Sequence, residues 1–100
     1  MKRVVITGMG VVSPVGNTVE DFWNSLKAGK HGFSYVNDVT GDDFDVKIAA
    51  RVKEFTPDKY VEKKESRRMD RFTQFAVNAS LDALADSGSD FKDLDPFRAG

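Results

Sequence analysis

Three groups of residues have types and spacings that chemistry uses. Gly8-Met9-Gly10 follows the apolar run Val4-Val5-Ile6. It thereby opens the G-x-G-x-x-G pattern with which a strand-turn-helix unit cradles the pyrophosphate of a dinucleotide. Ser13 stands between Gly10 and Gly16 and invites comparison with the serine nucleophile of a strand-to-helix elbow. Lys63, Lys64, Arg67, Arg68 and Arg71 put five cations into nine positions. Clustered cations of that kind steer and orient an acidic partner.

The first two patterns fail on inspection. Ser13 occupies the place of the third glycine, and Pro14 behind it biases Ser13 away from the helical region. No helix can start at the turn, so a pyrophosphate would lose its main electrostatic partner, a helix N-terminus. A nucleotide-binding oxidoreductase also needs an acidic residue ending a second parallel strand, and the basic run from Val46 to Val52 does not offer one. The elbow pattern needs glycines two residues from its serine, whereas here they lie three away on each side. His31, the only histidine, sits between Lys30 and Gly32 and reads as an exposed loop residue. Ser13 therefore reads as a turn residue. The basic cluster keeps two readings: a solvated helix start, in which Glu65 pairs with neighbouring bases at small gain, or a docking patch.

The elements around these residues follow from periodicity. Val4-Val5-Ile6 is continuous and β-branched, as in a strand covered on both faces. Asn17 or Thr18 can cap a following helix, with Glu20 and Asp21 at capping-box spacing. Val19, Phe22, Trp23 and Leu26 give that helix one apolar face, with Trp23 as a core anchor, and Gly29 ends it. Gly29 to Asp43 reads as loop. Val46, Ile48, Ala50 and Val52 alternate with polar or small residues, the pattern of a half-buried antiparallel strand at the surface. Thr56-Pro57 starts a short helix. A long helix then runs from about Ser66 or Met69 to Ser87, stopped by Gly88. Met69, Phe72, Phe75, Ala76, Ala79 and Ala83 form one apolar sector of it; Val77, Leu81 and Leu84 form another. Arg71, Gln74, Asn78 and Asp82 leave only a narrow polar stripe, so the helix is buried on several sides.

Composition bounds the function class. One hundred residues, 31% charged and 40% hydrophobic, fit a soluble globular chain, and a net charge of −1 argues against nucleic acid as the main partner. No apolar stretch approaches membrane-spanning length. The basic start Met1-Lys2-Arg3 resembles a signal-peptide opening, but Gly8, Gly10 and Pro14 break the segment behind it. Without cysteine there is no disulfide, and a single histidine makes a transition-metal site improbable. No cofactor is implied, and the expected compartment is cytoplasmic.

Two separated motifs carry a family resemblance. The run Arg3 to Gly16, with Val-Val-Ile-Thr-Gly-Met-Gly and then Ser-Pro-Val-Gly-Asn, resembles the N-terminus of the β-ketoacyl-acyl-carrier-protein synthases, most closely the synthase II type. The resemblance resumes at Lys63-Lys64-Glu65-Ser66-Arg67-Arg68-Met69-Asp70-Arg71-Phe72 and runs on to Asp86-Ser87-Gly88. It implies an α/β class with a thiolase-like layered α/β/α/β/α fold, residues 1–100 being the start of its first half, in a homodimeric enzyme. It also implies an acyltransferase that condenses malonyl-carrier with an acyl thioester in fatty acid elongation, using a cysteine nucleophile and two histidines. None of those catalytic residues is present here. By the same resemblance Lys64, Arg67 and Arg68, with Lys63 and Arg71 beside them, receive the acidic helix of the acyl carrier protein. The alternatives are a non-catalytic relative or docking module, and a dinucleotide-binding oxidoreductase.

A strand covered twice and a helix apolar nearly all round demand more covering layers than these residues supply. The expectation is therefore an N-terminal piece of a larger fold, or a chain that folds only inside an oligomer.

Overall fold

A computed structural model describes residues 2–36, 47–89 and 91–99. Its first helix, α1 (Val19–Lys27), begins where the capping pattern places it: Thr18 is extended and its Oγ1 accepts from the Asp21 amide at 3.1 Å. Glu20 and Asp21 in the first turn and Lys27 in the last complement the helix dipole. Gly29 ends the element in a left-handed conformation, φ +70°.

Strand β1 (Phe33–Tyr35) pairs antiparallel with β2 (Ile48–Ala50), in the register Phe33 to Ala50 and Tyr35 to Ile48. The antiparallel, surface nature of the second strand is as expected. Two details differ. Residues 33–35 form a strand where a loop was expected, because the edge of β2 supplies the partner that so short a run cannot specify by itself. Within β2 the less exposed residue is Ala49, and Ile48 and Ala50 face outward. No layer covers their side of the ribbon among the described residues. Val46 and the rest of residues 37–46 lie outside the described residues.

A 3-10 turn (Pro57–Lys59) follows Thr56, with proline in its first turn, although the Thr56 hydroxyl makes no capping bond. Next come α2 (Lys63–Ser66) and α3 (Arg71–Ser87), the latter closed by Gly88 at φ +69°. The long helix expected from about Ser66 or Met69 to Ser87 is α3, which starts at Arg71, and α2 is a separate short helix before it. Residues 67–70 form the turn between them, and extended Asp70 occupies the N-cap position of α3.

The apolar residues are where the expectation is corrected most. Among the described residues no hydrophobic side chain is buried. Val4 is 91% and Ile6 83% exposed, and residues 4–6 belong to no strand ladder. Trp23 and Phe72 are exposed as well, so Trp23 anchors no core within this chain. The radius of gyration is 17.4 Å, against about 13 Å for a closed domain of this length. The physical reason is one of supply: α3 and the apolar run need sheets and helices on several sides, and these residues provide one side. No helix among the described residues is long and apolar enough to cross a membrane.

Candidate docking surface and its supports

Glycines 8 and 10 have a packing role. An ideal Cβ at Gly8 would lie 2.1 Å from the Ala83 carbonyl oxygen, and one at Gly10 would lie 2.0 Å from that of Ala79. The chain therefore crosses α3 at backbone distance, and the Met9 amide donates to Asp86 Oδ2 at 3.0 Å. Helix α1 begins at Val19, nine residues beyond Gly10, so no helix N-terminus faces the turn. Ser13 is a turn residue as expected. Its amide and carbonyl pair with Gly16, and its Oγ donates to the Gly16 carbonyl at 2.8 Å. The exposed His31 accepts from the Phe33 amide through Nδ1 at 3.2 Å.

The basic residues lie on three consecutive segments. Lys63 and Lys64 lie on α2, Arg67 and Arg68 in the turn after it, and Arg71 opens α3. All five are exposed. None of the five is ion-paired with a described residue, the Lys59–Asp82 ion pair lying elsewhere. Arg71 differs from the other four: its guanidinium lies 5.3 Å from the Phe55 ring centre and 5.1 Å from that of Phe75. Those rings meet edge to face at 4.9 Å. Arg71 is thereby steadied by two rings, at a gain of about 0.5–1 kcal/mol each for exposed cation–π contacts.

Beneath the patch runs the polar stripe of α3, and it faces inward. Ser66 (2% exposed) and Asn78 (8%) are the buried polar residues. Gln74 Nε2 donates to the Ser66 carbonyl at 2.7 Å, and the Met69 amide donates to the same oxygen at 3.1 Å. Ser66 Oγ donates to the Lys63 carbonyl at 2.9 Å. Two turns beyond Gln74, Asp82 collects three donors. Lys59 Nζ at 2.6 Å and Tyr60 Oη at 2.5 Å share its Oδ1, and Asn78 Nδ2 reaches Oδ2 at 3.2 Å. Partial burial alone would push the Asp82 carboxyl up, but these hydrogen bonds and the Lys59 charge outweigh it and hold the group below the usual carboxylate range. The same contact with Asp82 raises both Lys59 and Tyr60 above their ordinary values.

The sequence marks Gln74, Asn78 and Asp82 as polar but not as supports of the basic patch. Lys59, Tyr60 and Phe55 carry no motif at all. The available signal is the four-residue spacing of Gln74, Asn78 and Asp82 on a largely apolar helix, which places three hydrogen-bonding groups in one line against whatever packs there.

Comparison with known proteins identifies the family. The family model for the beta-ketoacyl synthase N-terminal domain matches residues 1–100. The 3-oxoacyl-[acyl-carrier-protein] synthase 2 of Vibrio cholerae serotype O1 is 41% identical over 99 residues, 99% of this chain and 24% of that protein. The enzyme of the same name from Staphylococcus aureus strain N315 is 40% identical over the same length, with the same coverage. The chain spans about a quarter of the length of these curated relatives. Among solved structures, the ishigamide ketosynthase/chain length factor superposes with a TM-score of 0.79 at 33% identity, over 93% of this chain and 23% of that one. The chain therefore belongs to the β-ketoacyl synthase family.

Proposed function

We propose that these residues form the N-terminal part of a 3-oxoacyl-[acyl-carrier-protein] synthase of fatty acid elongation, a cytoplasmic homodimer with the layered α/β/α/β/α architecture. The observation that carries this is the 41% identity maintained over 99 residues to an enzyme of that name. The exposed apolar run at Val4 to Ile6 and the exposed face of α3 support it, since a layered fold would cover both.

In the reaction, a cysteine thiolate takes the acyl group from a carrier thioester and releases the carrier thiol. Malonyl-carrier then loses carbon dioxide, and the resulting enolate carbon attacks the acyl-enzyme carbonyl. The new carbon–carbon bond forms as the cysteine sulfur leaves, giving a 3-oxoacyl-carrier two carbons longer. Hydrogen-bond donors aimed at the enolate and thioester oxygens lower the barrier. This chain has no cysteine, so its own part is scaffold, support for the dimer, and a share of carrier recognition. Lys64, Arg67 and Arg68 receive the acidic carrier helix, flanked by Lys63 and the ring-steadied Arg71.

The test is to incubate the intact protein with acyl-carrier and malonyl-carrier and weigh the products. A carrier-bound 3-oxoacyl product two carbons longer, with release of carbon dioxide, is expected. An intact protein that binds carrier but never condenses would instead be a non-catalytic relative.

A further inference from the structure

We infer that Gln74 is a positioning residue for carrier docking: its side-chain amide fixes the turn that presents Arg67 and Arg68. This rests on the docking role proposed above and adds the device that sets its geometry.

Helix α2 has four residues, too few to hold a helical turn through its own hydrogen bonds. Nor does apolar packing hold it, because its one buried residue is Ser66. What fixes the segment is polar. The Gln74 amide reaches back from α3 to the Ser66 carbonyl at 2.7 Å, and Ser66 Oγ closes onto the Lys63 carbonyl at 2.9 Å. Arg67 and Arg68 are the next two residues, and their amides bond to the Lys63 and Glu65 carbonyls of the same turn. Upstream, Lys59 and Tyr60 are tied to Asp82, two helical turns along the same stripe from Gln74. Residues 59–68 are therefore held at both ends by one face of α3, Lys59 bonding to it while Lys63, Lys64, Arg67 and Arg68 stay exposed. Presenting long side chains from a fixed backbone reduces the ordering that binding must impose.

The test uses the intact synthase with two acyl donors, acyl-carrier and a small acyl-pantetheine thioester. Gln74→Met keeps the length of the side chain and removes the donor; Ser66→Ala removes the second tie with little change in volume. Both variants are expected to raise KM for acyl-carrier, Gln74→Met by about three- to ten-fold, the cost of re-ordering one or two long side chains. Gln74→Met should leave kcat, the kinetics with the small thioester and the salt dependence of KM unchanged, since no charge is lost. Arg67→Glu is the control, and it should raise the carrier KM and flatten the salt dependence. If Arg67→Glu raises the carrier KM but neither Gln74→Met nor Ser66→Ala does, the positioning role is overturned and the dock survives. Equal losses with both donors would make Gln74 a general stability residue and also overturn the inference. If Arg67→Glu has no effect either, the docking role fails and takes this inference with it.

Discussion

Replacing Gly10 with alanine tests whether the glycine pair serves packing or phosphate binding. The new Cβ would lie 2.0 Å from the Ala79 carbonyl oxygen and 2.9 Å from the Ala83 amide nitrogen, both backbone atoms of α3. Ordinary contact needs about 3.5 Å, so the Gly10 segment and the helix must part by roughly 1.5 Å. No side-chain rotamer can absorb that. Overpacking of this kind costs about 1–3 kcal/mol. The shift also strains the 3.0 Å bond from the Met9 amide to Asp86, adding about 1 kcal/mol. A total near 3 kcal/mol in an intact protein about four times this length should lower the melting temperature by about 3–4 °C. Gly29→Ala is the control: a Cβ there meets nothing within 4 Å, and only the left-handed backbone, φ +70°, opposes it. Its cost is about 1 kcal/mol. Thermal melts followed by circular dichroism should rank Gly10→Ala well below Gly29→Ala. A Gly10→Ala protein that melts with the wild type, while losing affinity for a nicotinamide dinucleotide, would refute the packing argument.

Two further predictions concern the charged groups. Because the Asp82 carboxyl is held low in the folded state, its ties stabilise the protein above about pH 4 and are lost as pH falls through the folded value. Lys59 and Tyr60 are raised, so their contribution is present below about pH 10 and lost as pH climbs through their folded values. Urea midpoints of the intact protein should therefore show Asp82→Asn destabilising at pH 7 and its difference from wild type shrinking by pH 3; a gap constant across that range would contradict the assignment. Reversing both Arg67 and Arg68 to glutamate should weaken binding of an acidic carrier by about ten-fold or more at low salt, with a smaller deficit at high salt. Equal binding at all salt concentrations in a fluorescence titration would exclude these residues from the dock.

Local signals in the sequence were the legible ones. Thr18 as cap of α1, Gly29 and Gly88 as left-handed stops, Pro57 opening a turn and the antiparallel pairing at 48–50 all depend on residues within a few positions of each other. Strand β1 was not legible, because Phe33-Ser34-Tyr35 is too short to show a period and acquires its identity from β2. The orientation of α3 was half legible. Its pattern separates polar from apolar positions, but not which face meets the rest of this chain, and here it is Gln74, Asn78 and Asp82 that do. The basic patch is visible as charge alone. Its supports are not, since a bond from Gln74 to a main-chain carbonyl leaves no mark on the identity of Ser66. The Gly8-Met9-Gly10 turn was excluded from phosphate binding by Ser13 and Pro14, but its close approach to α3 was not legible, because that contact depends on a helix roughly seventy residues away.

On the proposed function, the exposed apolar surfaces of this chain are internal seams of a larger layered enzyme. Amide hydrogen exchange, comparing the intact protein with residues 1–100 produced alone, tests it most directly. In the intact protein, the amides of Val4, Val5 and Ile6 should be protected to the level of the global unfolding reaction, as in a central strand. In residues 1–100 alone they should exchange at nearly the free-chain rate, with Val4 and Ile6 as exposed as they are here. Fast exchange of these amides in the intact protein would contradict the claim and leave residues 4–6 as a surface segment.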